Sequence, residues 1–123
     1  HNTTRVCLIY DTQKRTHESA EELCRSCGSH LYTLRTYDKF KMLQNLITFH
    51  AWVGLDDIES EGRYVWVDNK EVISDTWLRT IYKPSQPDNG DGIEDCTIMI
   101  RNLKLLNDYQ CNATAHTVCE TIM

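Results

Sequence analysis

The chain has 123 residues, 41% of them hydrophobic and 25% charged, with a net charge of −5. That length fits one domain over residues 1–123, with room for a real core but not for two. The acidity excludes a phosphate backbone as partner, since nucleic acid needs a basic patch, and no apolar run approaches the roughly 18 residues of a membrane span.

Val6-Cys7-Leu8-Ile9-Tyr10 reads as a short strand. Thr16 can cap the helix that follows, with Glu18, Glu21 and Glu22 in its first turns, where the dipole favours negative charge. Ala20, Leu23, Cys24 and Cys27 recur at helical spacing and Gly28 supplies the stop. A second helix is expected over Thr36–Phe49, with Phe40, Leu43, Leu46 and Ile47 on its apolar face. From Ala51 onward the pattern is strand and loop. Trp52–Leu55 and Tyr64–Val67 are strand-like and are bridged by the acidic stretch Asp56–Glu61, and Thr97–Ile100 and Thr117–Glu120 each lie beside a cysteine. Two helices followed by a strand-rich half predict an α+β fold. Trp52, Trp66 and Trp77 read as core or loop anchors, and the five histidines are too scattered to form a ligand set.

Six cysteines in so short a chain, with the acceptor sequons Asn2-Thr3-Thr4 and Asn112-Ala113-Thr114, read as three disulfides in an oxidising compartment. The protein is therefore expected to be secreted or extracellular. No signal peptide is present, so His1 is taken as the start of a mature or trimmed chain.

The most informative stretch is QPDNGDGIEDCTIMIRNLKLLNDYQC, residues 86–111. Gln86, Asp88, Asn89, Asp91, Glu94 and Asp95 crowd oxygen atoms into one Gly-rich loop, and Asn107-Asp108 follow before Cys111. Carboxylates and amides at this density repel one another unless a hard cation sits among them, and Ca2+ accepts six to eight such oxygens in flexible geometry. The bland alternative is a solvated turn of ordinary loop composition. An EF-hand does not fit, because the acid-x-acid-x-acid-Gly order is missing and Glu94 falls too early. Cys24-x-x-Cys27 lacks the second ligand pair that zinc requires and the βαβ setting of a redox motif. Glu94 and Asp95 do not make a glycosidase pair, since adjacent residues project differently. No catalysis is expected.

These residues, in this order, resemble the C-type lectin-like domain across essentially the whole chain. The family's WIGL core segment has its counterpart in Trp52-Val53-Gly54-Leu55, and its long-loop tripeptide (EPN or QPD) in Gln86-Pro87-Asp88. Glu94 precedes Cys96 as the family's glutamate precedes its cysteine, and Leu106-Asn107-Asp108 stands where the family has WND. The resemblance implies two helices flanking antiparallel sheets, a long calcium-binding loop, and disulfides Cys24–Cys119 and Cys96–Cys111. Cys7 and Cys27 remain. They are expected to bridge to each other, or alternatively to make interchain bridges in a covalent dimer.

Carried over by resemblance, Gln86, Asp88, Glu94, Asn107 and Asp108 would hold the sugar-site calcium. Asp57, Glu61, Asn89, Glu94 and Asp95 would hold an auxiliary one. A cis Gln86–Pro87 bond is implied as well, cheap only before proline. In the family QPD goes with galactose and N-acetylgalactosamine, so the expected partners are terminal galactose-type glycans, with a homo-oligomer possible. The loop lacks the tryptophan that many galactose-selective members carry after QPD. Tyr82 or Tyr109 is the candidate replacement for that stacking surface, and without one, selectivity against mannose should be poor. The alternatives are a protein-binding module of the same fold with calcium only structural or absent, a lectin of broad or mannose-tolerant specificity, and, more remotely, an ice-binding member.

Overall fold

The computed structural model describes residues 6–60, 62–82 and 96–122. Its architecture is mixed α+β, with three helices where two were expected. Helix α1 (His17–Ser26) starts at Thr16, whose hydroxyl accepts from Ser19 N at 3.3 Å, and it turns Ala20 and Cys24 inward. Cys27 caps its end and Gly28 follows at φ +69°, a left-handed step that glycine takes without steric cost. Helix α2 (Tyr37–Leu46) is capped by Thr36 and buries Phe40 and Leu43. It stops three residues before Phe49 because Ile47 turns extended and its carbonyl accepts from Lys104 Nζ at 2.8 Å. Helix α3 (Asp75–Ile81) occupies a stretch expected to be loop; Ser74 caps it and Asp75 favours its first turn.

The main sheet contains β1 (Val6–Arg15), β2 (His30–Leu31), β3 (Ala51–Val53), β6 (Cys96–Met99), β7 (Leu106–Tyr109) and β8 (Ala115–Ile122). Its order is β1-β8-β3-β6-β7, with β2 also paired to β8. A separate pair joins β4 (Leu55–Asp56) to β5 (Val65–Trp66). The pairings are antiparallel except β3 with β8, which is parallel (Ala51 opposite His116, Trp52 opposite Thr117), so the sheet is mixed rather than wholly antiparallel.

One face of the sheet packs on α2 and α3 through Leu34, Phe40, Leu43, Val53, Ile81, Met99, Leu106 and Val118. A second cluster, built on Trp52 with Ala20, Leu31, Ile98 and the Cys24–Cys119 bridge, holds α1. Trp52 has no exposed surface, and its indole N–H donates to Arg15 O at 2.7 Å. Gly54 follows where two backbones meet, its N–H donating to Tyr32 O at 2.7 Å and its carbonyl accepting from Val67 N at 2.9 Å.

Candidate functional site

Strand β7 lies at the open end of the sheet order and carries Asn107 and Asp108. Across the ladder to β6, Thr97 faces Asp108 and Ile98 faces Asn107. Asp108 is 1% exposed. The amide oxygen of Asn107 is buried and accepts no hydrogen bond among the described residues. Burying polar oxygen in this way is costly without a partner, and a hard cation is one partner that such oxygens fit.

The surrounding chain meets this strand on both edges. Tyr82 forms a parallel bridge with Leu106, immediately before Asn107, and Cys96 pairs with Tyr109, immediately after Asp108. Residues 83–95 therefore connect two points that flank the Asn107-Asp108 pair. Gln86, Asp88, Asn89, Glu94, Asp95 and Glu61, together with the Gln86–Pro87 bond, lie outside the described residues. Among the described residues, no three His, Cys, Asp or Glu side chains form a metal-holding group.

Tyr82 is not a stacking surface. It is 2% exposed, packs edge-on against Tyr64 with centroids 5.9 Å apart, and exchanges a 2.8 Å hydrogen bond with Thr97. Burial holds its phenol well above the ordinary tyrosine range, and Asp108 pushes it in the same direction. The sequence expectation failed because Tyr82 follows the last turn of α3, whose register seats it in the core, so it supports β7 from below. Tyr109 keeps part of its surface exposed, its ring leaning on Trp52 at 5.7 Å.

Asp57 is buried after β4, and its Oδ2 accepts from Gly62 N at 2.8 Å. Its neighbour Asp56, also buried, accepts from Ile58 N at 3.2 Å, and burial raises its carboxyl above the usual range. Sequence reasoning took Asp57 as a ligand of an auxiliary calcium and missed what its neighbour Asp56 faces. Burial lowers the pKa of His17 and Asp56 pulls it upward, so the two groups interact. His17 also packs edge-on against Trp52 at 5.4 Å and lies 3.8 Å from Glu21. The signal available in the sequence was the i, i+4 spacing of His17 and Glu21 on α1.

Cys24–Cys119 ties α1 to β8, and Cys96–Cys111 ties the start of β6 to the turn after β7. The expected Cys7–Cys27 bridge is not formed, because Cys27 carries a free, exposed thiol. The spacing argument treated Cys27 as one more helical turn, whereas it is the cap, at φ −103° and ψ 10°, beside the hydroxyl of Ser26. Cys7 is placed by its backbone pairing with Thr121; its side chain lies outside the described residues.

A strand carrying Asn-Asp is thus flanked by a disulfide and by the two ends of residues 83–95. Residues 13–121 match the family described as Lectin C-type domain. The chain belongs to the C-type lectin domain family. This lectin domain is 33% identical over 127 residues to perlucin of Haliotis laevigata, spanning 98% of the chain and 79% of perlucin. Among solved structures, the human scavenger receptor C-type lectin carbohydrate-recognition domain superposes with a TM-score of 0.84 at 29% identity, covering 100% of this chain and 95% of that one. A calcium-independent type II antifreeze protein superposes equally well (TM-score 0.85, 99% and 90% covered) at only 19% identity, a likeness of fold alone. No helix among the described residues is long and apolar enough to cross a membrane.

Proposed function

We propose that this C-type lectin domain binds terminal galactose-type glycans through a calcium ion and performs no chemistry on them. The observation that carries this reading is that buried Asp108 and the buried amide oxygen of Asn107 lie on an edge strand whose two neighbours, Tyr82 and Cys96, are the ends of the segment containing Gln86, Asp88 and Glu94. Gln86, Asp88, Glu94, Asn107 and Asp108 would hold the ion, which supplies open coordination positions for two neighbouring sugar hydroxyls. Each hydroxyl then needs one donor and one acceptor, since a buried hydroxyl left unpaired costs about 1–3 kcal/mol. The amides of Gln86 and Asn107 donate, and the carboxylates of Asp88 and Glu94 accept. The amide-before-acid order of Gln86-Pro87-Asp88 favours the galactose hydroxyl pair. Asp57, with Glu61, Asn89, Glu94 and Asp95, would hold an auxiliary ion that tightens the same loop.

Binding to immobilised galactose and mannose, with and without EDTA, tests the reading. Retention on galactose should be lost in EDTA and outcompeted by free galactose; retention that ignores EDTA, or mannose competing better, would sink it. Gln86→Glu with Asp88→Asn should invert the preference. Because Tyr82 is buried, stacking falls to Tyr109, and Tyr109→Ala should narrow the galactose-to-mannose ratio. Lowering the pH to about 4–5 should release the sugar, as carboxylates that must be ionised to hold the metal take up protons.

A further inference from the structure

The turn between β7 and β8 holds a motif the sugar site does not use. Asn112-Ala113-Thr114 is an N-glycan acceptor triplet, and both Asn112 and Thr114 are exposed. The turn is anchored on both sides. Ala113 N donates to Gln110 O at 3.0 Å, while Cys111 is bonded to Cys96 and its carbonyl accepts from His17 N at 3.1 Å. Asn112 is thereby held against the start of α1, on the rim of a surface cavity of about 500 Å³ shared with Thr16, His17, Glu18, Glu21 and Ile58. That volume falls within the range in which proteins hold small ligands, about 300–1,000 Å³. Its lining is mixed. Thr16, Glu18 and Glu21 offer acceptors for hydroxyls and an acetamido N–H, and Ile58, 52% exposed, offers apolar surface to a sugar ring or an acetyl methyl.

We infer that Asn112 is N-glycosylated and that the first sugars of the glycan seat in this cavity. The side-chain amide nitrogen of Asn112 bonds to C1 of an oligosaccharide carried on a lipid pyrophosphate. The C1–O bond to pyrophosphate breaks, the amide loses one proton, the lipid pyrophosphate departs, and nothing is oxidised or reduced. The disulfides Cys24–Cys119 and Cys96–Cys111 belong to the oxidising compartment in which this transfer operates. Seated there, the glycan covers the exposed Ile58 and braces the turn that carries Cys111. The inference does not depend on the sugar specificity of the calcium loop.

The test is the intact chain secreted from eukaryotic cells, as wild type and as Asn2→Gln, which removes the other triplet. Peptide mass with and without a peptide N-glycosidase should locate a glycan on Asn112 in both, and Asn112→Gln and Thr114→Ala should lose it while Thr114→Ser keeps it. An unmodified Asn112 peptide in the secreted wild type overturns the proposal. Seating is read separately. The glycosylated chain should melt a few degrees above the same chain after enzymatic deglycosylation, and Ile58→Asp should abolish that difference. Equal melting of the glycosylated and deglycosylated wild type removes the seat and leaves a glycan free in solvent.

Discussion

Glu120 is fully buried on β8, with Thr33 N and Thr33 Oγ1 donating to it at 2.7 Å and Lys39 Nζ at 2.5 Å. Removing the cation strands a buried carboxylate, which costs about 3–5 kcal/mol. Lys39 keeps some solvent, so Lys39→Met should fall near the low end, read as a drop in urea midpoint at unchanged slope. Glu120→Gln should cost less, because the acceptor for Thr33 survives. Gly54 is a steric case: an added Cβ would lie 2.6 Å from Val67 Cγ2 and 2.8 Å from the Leu31 carbonyl oxygen. Backbone cannot step aside, and Gly54→Ala should destabilise by about 1–3 kcal/mol in the same experiment. Trp52-Val53-Gly54-Leu55 was legible as core because its residue types are unusual and adjacent. Glu120 was not, since its cation lies 81 positions away and nothing local marks the carboxylate as buried.

The elements are held by two covalent ties of very different reach. Cys24–Cys119 closes a separation of 95 residues and Cys96–Cys111 one of 15. On chain-entropy grounds the longer should contribute about 4.5 kcal/mol and the shorter about 3. Replacing each pair by alanine and comparing unfolding free energies checks the order. The shorter tie fixes Cys96, the first described residue after 83–95, beside the strand that carries Asp108, so its loss should also weaken the proposed calcium binding, whereas loss of the longer tie should act through stability alone. Thr16 announced the start of α1, and the apolar spacing of Phe40, Leu43 and Leu46 announced α2, though not that Thr36 caps it or that it stops at Leu46. The seven residues of α3 were too short to show a period, although Ser74 and Asp75 were in place. For the candidate site, Asn107-Asp108 stands out in the sequence by its place before Cys111, but Tyr82 could not be assigned to the core, because that depends on where a helix of unknown register ends.

For the molecule as a whole, pH dependence follows from its histidines. Burial lowers the pKa of His17, and of the less buried His50 and His116, below the ordinary histidine value of 6.5. Below that value the unfolded chain binds more protons than the folded one. Stability should therefore fall as the pH drops from about 6.5, by at most about 1.4 kcal/mol per unit for each group, until the folded form titrates too. Glu21 and Asp56, raised by burial, act in the opposite sense. Comparing wild type with His17→Gln by urea unfolding in EDTA isolates the histidine, and the variant should show the shallower slope between pH 7 and 5. The sequence could not supply this balance, nor the parallel contact of β3 with β8, since both depend on segments brought together only by the fold. The pairing of Val6 with Ile122 sets the two ends of the described chain side by side on one ladder. The described chain thus enters and leaves the sheet at one end of the same ladder. With entry and exit side by side, a copy of this domain could be mounted like a bulb in a socket, and copies mounted together would gain avidity without any change to the site itself.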